Sequence, residues 1–217
     1  MIPIWVVDDH AVIRQGLKQI IQTESEILRV TAEAGSAQEL FELLKTQPPP
    51  HAIILDLSLA GKGGLEILED LKTQWAHIPV LILSMHPEDQ YALRALRSGA
   101  SGYLTKECAP EQLAQALMTI IRGEKYITSK AAHLLARHLS SPQDNQPPHE
   151  KLSDREFRIL VDIAHGKTLT EISEALDLSV KTVSTYRARV LKKLGKRTNA
   201  DLIQYALQHQ LVPVDQN

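Results

Sequence analysis

The first part of the chain alternates short apolar runs with stretches of helical period, and that alternation leaves few folds open. The runs are Ile4–Val7, Leu28–Ala32, Ala52–Leu55, Val80–Leu83 and Gly102–Leu104. Between them, Val12, Ile13, Leu17, Ile20 and Ile21 recur at helical spacing, as do Leu40, Phe41, Leu43 and Leu44, then Leu65, Ile67, Leu68 and Leu71. Leu93 and Leu96, followed by Leu113, Ala116, Leu117, Ile120 and Ile121, complete the series. A strand that is apolar throughout must be covered on both faces, and amphipathic helices do the covering. The pattern predicts an α/β domain over residues 1–122, a doubly wound, five-stranded parallel sheet of the flavodoxin type.

In such sheets ligands gather beyond the carboxyl ends of the strands. Strand one ends in Asp8 and Asp9, strand three in Asp56 and strand four in Ser84, and Lys106 follows strand five. Three carboxylates in one crevice repel one another unless a cation sits among them. An all-oxygen, highly charged ligand set suits Mg²⁺, which binds few carboxylates and keeps several waters. A carboxylate held beside such an ion can attack phosphorus and form an aspartyl phosphate. A lysine and a hydroxyl on neighbouring strand ends can then neutralise and hydrogen-bond the new phosphoryl oxygens.

Four segments carry a specific resemblance: Val-Val-Asp-Asp-His, Ile-Leu-Asp-Leu, Leu-Ile-Leu-Ser-Met and Gly-Ala-Ser-Gly-Tyr-Leu-Thr-Lys. In order and spacing they resemble the signatures of the receiver domains of bacterial two-component response regulators. The resemblance implies that Asp56 is the phosphoacceptor. It implies Asp9 as a direct Mg²⁺ ligand, Asp8 as a ligand through water, and the backbone carbonyl of Ser58 as the remaining protein ligand beside Asp56. It makes Ser84 the hydroxyl switch, Tyr103 the rotating aromatic switch and Lys106 the phosphate-contacting lysine. Two departures from the family stand out. Leu59-Ala60 replaces a frequent Met-Pro step, and Gly61-Lys62-Gly63-Gly64 is glycine-rich, which predicts a looser loop and leaves the phosphate lifetime open.

Residues 123–150 read as a linker. Ala131, Ala132, Leu134, Leu135 and Leu139 outline a short helix over Ser129–Leu139, and Ser140 to His149 carries three prolines and no aliphatic anchor, as an extended tether does. Beyond it, residues 151–212 read as a small all-α domain. Ser153-x-x-Glu156 and Thr168-x-x-Glu171 are capping boxes for two helices, Ser179 caps a third from Val180 to about Leu194, and Asn199 is the expected cap of a fourth. Four short helices with a tight turn between the second and third form a helix-turn-helix module.

Charge points the same way. Residues 151–217 hold 11 Lys and Arg against 8 Asp and Glu, a net of +3, which leaves 13 against 18, or −5, for residues 1–150. From Leu178 to Ala200 there are seven basic residues and no acidic one. At roughly 100° per residue, Val183, Val190 and Leu194 share the face that must be buried. Lys181, Thr185, Ala188 and Lys192 fall opposite, with Ser184 and Arg189 at the margins. Small and hydroxyl side chains between cations let a helix sit deep in the major groove of double-stranded DNA. Lys192, Lys193 and Arg189 are placed to reach phosphates, whereas Arg187 falls near the buried face with its head snorkelling outward. Thr182 and Tyr186 are further candidates for the DNA contact. Leu-Ser-x-Arg-Glu, Gly-Lys-Thr-x-x-Glu-Ile-Ser, Leu-x-Leu-Ser-x-Lys-Thr-Val-Ser-Thr-Tyr and Leu-Lys-Lys-Leu-Gly resemble the LuxR-type (FixJ/NarL-type) output domain. Leu169 stands where that family commonly has a polar residue, and Tyr186 where it often has His.

Together the readings describe a transcriptional regulator, not an enzyme. The resemblance implies that a histidine kinase phosphorylates it and that it is active as a homodimer, with Leu202, Ile203 and Ala206 of the fourth helix expected in the dimer contact. An alternative keeps the DNA binding but uses the receiver only for dimerisation, independently of phosphorylation. An aspartyl-phosphate phosphatase of the haloacid dehalogenase type is disfavoured, because that chemistry uses an Asp-x-Asp pair and this chain reads Asp56-Leu57-Ser58. Gly166-Lys167-Thr168 lacks the preceding glycine of a phosphate-binding loop, since Val161 occupies that place. The nine histidines show no close metal-ligand spacing, and His10 reads as an exposed loop residue. Cys108 is the sole cysteine, so no intrachain disulfide forms. The start lacks the pattern of a signal peptide, and no apolar run approaches the ~20 residues of a membrane span. A cytoplasmic location is expected.

Overall fold

A computed structural model describes residues 1–59, 63–140, 147–209 and 211–212. The chain divides into two compact units, Met1–Ser140 and Ser141–Asn217.

In the first unit, strands β1 (Ile2–Val7), β2 (Leu28–Ala34), β3 (Ala52–Leu55), β4 (Val80–Ser84) and β5 (Gly102–Thr105) form one sheet of order β2-β1-β3-β4-β5. All neighbours pair in parallel. Helices α1 (Ala11–Glu24), α2 (Ala37–Thr46), α3 (Gly64–Gln74), α4 (Glu88–Arg97) and α5 (Pro110–Ile121) connect them. On one face Ile4, Val6, Ile54, Leu81, Leu83 and Leu104 pack with Leu17 and Ile21 of α1 and with Leu113, Leu117 and Ile120 of α5. The intervening residues Trp5, Val7, Ile53, Leu55 and Ile82 are just as buried, so both faces of the sheet are covered. The strand order reverses between β1 and β3, which opens a crevice at the carboxyl ends of those two strands.

Four strands run further than apolarity alone predicted, β5 among them by Thr105. β1 begins at Ile2, β2 continues to Ala34, and β4 takes in Ser84, which pairs with Thr105. Backbone pairing does not require an apolar side chain, so strand ends escape a hydrophobic pattern. Gly64 opens α3, and a Cβ there would lie 2.4 Å from Leu57 Cα and 2.7 Å from the Asp56 carbonyl oxygen. The expected looseness of the loop concerns Ala60, Gly61 and Lys62, which lie outside the described residues. Helix α6 (Ser129–Ser140) belongs to the first unit and packs on α4, with Lys130 Nζ 3.1 Å from Asp89 and Thr128 bonded to Glu88. Of the expected tether from Ser140 to His149, residues 141–146 lie outside the described residues, Ser140 ends α6, and Pro148 and His149 open a 3₁₀ turn instead of extended chain.

The second unit holds a 3₁₀ turn (Pro148–Lys151) and helices α7 (Asp154–Ala164), α8 (Leu169–Ala175), α9 (Val180–Leu194) and α10 (Asn199–Gln208). Ser153 and Thr168 close capping boxes with Glu156 and Glu171, and Ser179 accepts from Thr182 N–H. Each such cap contributes about 1 kcal/mol. The expected Asn199 cap of α10 is corrected to Thr198, whose hydroxyl accepts from Asp201 N–H while the Asp201 carboxylate reaches back to Thr198 N–H. Thr198 has the extended backbone a cap needs, and Asn199 is already helical. The turn between α8 and α9 is made by Asp177 at φ 51°, a conformation that Asp tolerates better than most side chains. α9 ends where Gly195 turns left-handed at φ 64°, which lets Lys196 N–H donate back to Leu191. Among the described residues no helix is long and apolar enough to cross a membrane.

Candidate functional site

The crevice at the carboxyl ends of β1 and β3 brings Asp8, Asp9 and Asp56 together. Ligand-capable atoms of these three and of His10 all lie within 4.8 Å of one another. Asp8 and Asp56 are buried, while Asp9 keeps 26% of its side chain exposed. Lys106 enters from the end of β5 and bridges two of the acids, with Nζ 2.6 Å from Asp8 Oδ2 and 2.8 Å from Asp56 Oδ2. Burial pushes the Asp56 carboxyl above its ordinary value even though the Lys106 hydrogen bond and charge act the other way. Burial would lower the Lys106 ammonium, but its hydrogen bonds to Asp56 and Asp8 outweigh that and hold it above its ordinary value. One lysine therefore does not satisfy the pocket.

The other Asp56 oxygen, Oδ1, is buried and accepts no hydrogen bond. A buried carboxylate oxygen without a donor is costly, and a divalent cation is one group that would satisfy it. The donor set is all carboxylate and carbonyl oxygen apart from His10, which suits Mg²⁺ better than softer metals.

The remaining strand-end residues lie around this pocket. Ser84 is fully buried, and its hydroxyl accepts from His86 N–H at 3.1 Å. Tyr103 is also buried, and its hydroxyl donates to the His86 carbonyl at 2.8 Å. Burial in this position pushes the Tyr103 phenol far above its ordinary value, so it stays protonated. Ser58 is half-buried, with its hydroxyl 3.3 Å from His86 Nε2.

Three residues outside the sequence expectation take part. His86 touches Ser58, Ser84 and Tyr103 and stacks on Tyr91 with ring centroids 4.5 Å apart. His10 is exposed as expected, but its Nδ1 lies 2.7 Å from Asp9 Oδ1. Arg14, from the first turns of α1, donates to the Asp8 carbonyl at 2.6 Å and pairs with Glu33 of β2. Their only sequence signal is adjacency: His10 follows the acidic pair, and His86 stands two residues after Ser84.

In the second unit, Val183, Val190 and Leu194 of α9 are buried against the other helices. Lys181, Ser184, Thr185, Ala188, Arg189 and Lys192 are exposed, while Thr182 and Tyr186 are half-buried. Thr182 is partly committed to the cap, its hydroxyl 2.8 Å from that of Ser179. The Arg189 guanidinium lies over the Tyr186 ring, 5.5 Å from its centroid. Arg187 is half-buried and donates to the side-chain carbonyl of Asn199.

Two parts of the expected interface are placed differently. Lys193 lies 2.6 Å from Glu156 Oε2, a carboxylate that is itself buried, so it ties α9 to α7. Leu202 and Ala206 are fully buried in the domain's own core, which removes them from any dimer contact. Ile203 is half-buried, and Leu207 is the exposed large apolar residue of α10. The apolar face of a short helix is consumed by its own domain before it can serve a partner.

The Glu156 pair has a pH signature. Burial alone would raise this carboxyl, but Lys193 and the Ser153 amide outweigh it and hold it below its ordinary value. A depressed acid contributes stability above its unfolded pKa, about 4.3, and loses it as pH falls through the lower folded value. The urea midpoint of this domain should therefore fall between about pH 4.3 and the lower folded value, and Glu156→Gln should flatten that dependence. Lys193→Ala should cost about 1–3 kcal/mol, because it leaves a buried carboxylate unpaired behind a partly exposed partner.

Residues 4–118 match the response regulator receiver domain, and residues 150–206 match the bacterial regulatory proteins of the luxR family. The chain is 32% identical over 211 residues to the response regulator UvrY of Escherichia coli strain K12, covering 97% of this chain and 96% of that one. It is 33% identical over 212 residues to the response regulator GacA of Pseudomonas aeruginosa, covering 98% of each. Among solved structures, a two-component response regulator of the LuxR family from Aurantimonas sp. SI85-9A1 is 32% identical, with a TM-score of 0.59, covering 65% of this chain and 99% of that one.

Proposed function

This chain belongs to the LuxR family of two-component response regulators, which bind DNA, and we propose that phosphorylation of Asp56 by a partner histidine kinase controls that binding. In this reading residues 1–122 are the receiver and 151–212 the output domain. An Asp56 carboxylate oxygen attacks the phosphorus of a phosphohistidine. A P–O bond forms, the P–N bond breaks, and the imidazole leaves and takes a proton from solvent. Asp9, Asp56 and the Ser58 carbonyl would hold Mg²⁺ directly, and Asp8 through water. Bound there, the ion would offset negative charge on the transferring phosphoryl oxygens. Lys106 is positioned to exchange its Asp56 contact for a phosphoryl oxygen, and Ser84 to exchange its His86 contact for another. Tyr103 can then follow Ser84, which alters the hydrogen bond at His86 just before α4. The phosphoryl group brings about two negative charges and three acceptor oxygens, enough to bias such a two-state element.

One observation carries this reading. The Asp56 carboxylate is buried among two further acids, with one oxygen on Lys106 and the other without a donor. Excess EDTA should abolish labelling of Asp56 by acetyl phosphate, and added Mg²⁺ should restore it. Labelling that persists in the chelator would contradict the assignment of the acidic pocket.

For the output, α9 lies in the major groove. Lys181, Ser184, Thr185 and Ala188 face the bases, with Thr182 and Tyr186 beside them, and Arg189 and Lys192 reach phosphates. Two copies then bind paired half-sites related by the protein's two-fold axis. Their contact would use Ile203 and Leu207 in place of the buried Leu202 and Ala206.

A further inference from the structure

At the other end of the receiver sheet is a cleft of about 530 Å³. It lies at the amino ends of three strands, bounded by His51 before β3, Pro79 before β4 and Ser101 before β5, and by the carboxyl ends of α3 and α5. Two ammonium groups line it. Lys72 is half-buried, and its Nζ donates to the Ile78 carbonyl at 2.6 Å and the Ala76 carbonyl at 3.5 Å. Lys125 is more exposed, and its Nζ donates to the Ala100 carbonyl at 2.6 Å. An ammonium carries three donors, so both retain capacity. His51 and His77 also line it, and Glu124 is the one carboxylate in it among the described residues.

Attraction to helix ends accounts for only part of this arrangement. The carbonyls that the lysines reach belong to loops beyond α3 and α4. A helix carboxyl end carries about half a negative charge, which fades within one turn. Two full cations outweigh the half charges of the α3 and α5 ends together, and the Glu124 carboxylate is exposed to solvent. Burial and the charge of Lys125 hold the Lys72 ammonium below its ordinary value, and burial does the same to Lys125. An anion between them would relieve both.

We propose that this cleft binds a small phosphomonoester, its dianion bridging Lys72 and Lys125 and its organic part resting against Pro79 and Ile121. A dianion matches two lysines better than a monoanionic carboxylate does, and lysine binds phosphate well as a point charge. The cleft has the size of an ordinary small-molecule site, and its apolar wall supplies what free phosphate cannot use. Because it lies across the sheet from Asp56, its ligand does not compete with phosphorylation there.

The test is a titration of the full chain in EDTA at constant ionic strength, followed by backbone amide chemical shifts. Phenyl phosphate and inorganic phosphate are the probes. Phenyl phosphate should produce saturable shifts at Gly99, Ser101, Gly123 and Glu124, with an affinity about tenfold above that of inorganic phosphate, from the apolar area it covers. Lys125→Met changes an exposed side chain and should stay folded, yet bind phenyl phosphate at least about tenfold more weakly. Lys72→Met should do the same. Equal affinity for the two probes would overturn the proposal, as would unchanged binding in Lys125→Met. Shifts confined to α9 or to the Asp56 end would also overturn it.

Discussion

Incubated with acetyl phosphate and Mg²⁺, the wild-type chain should gain the mass of one phosphoryl group, and Asp56→Asn should gain none. The effect is all-or-none because the pocket offers one carboxylate with the required position. Asp8 is tied through both oxygens, to Lys106 and to the His10 amide. Asn keeps the size of Asp56 and can still accept from Lys106, so the variant should fold. Its stability also gives a sign. Burial raises the Asp56 carboxyl above its ordinary value, and an acid raised on folding costs stability once pH exceeds its unfolded pKa, about 3.9. At neutral pH Asp56→Asn should therefore melt no lower than wild type. Equal phosphoryl uptake by the two proteins would place the acceptor elsewhere.

The second large effect concerns α9. Lys192→Ala and Arg189→Ala should each weaken binding to a specific duplex roughly tenfold and lower the log–log salt slope by about one, since each would remove one of the proposed phosphate contacts. Lys193→Ala should differ in kind. Its ammonium is engaged with buried Glu156, so its main loss is stability, and at a temperature where the variant is folded its salt slope should stay near that of wild type. Titrations at several salt concentrations, with melting curves on the same samples, separate the two classes. A wild-type salt slope in Lys192→Ala would remove that side chain from the phosphate contact.

Much of this was legible in the chain because it rests on local rules. Near-continuous apolar runs placed all five strands, and Ser-x-x-Glu and Thr-x-x-Glu placed the starts of α7 and α8. The missed Thr198 cap follows the same logic with Asp201 in place of Glu, one residue earlier than the Asn that drew attention. Other features depend on distant partners, for which a linear pattern has no signal. Lys193 looks like any exposed cation until Glu156, 37 residues away, takes it up. Leu202 and Ala206 looked available to a partner until α7 covered them. His86 joins three strand ends through its amide, carbonyl and ring, and only the folded sheet brings those together.

If chemistry at Asp56 governs the affinity of α9 for DNA, fluorescence anisotropy of a labelled operator duplex will register the change. Full-length wild type should bind more tightly after acetyl phosphate and Mg²⁺ than before, and Asp56→Asn should bind identically under both conditions. If wild type showed no change in affinity while mass analysis confirmed its phosphorylation, the switch would be refuted and a receiver used only for dimerisation would take its place.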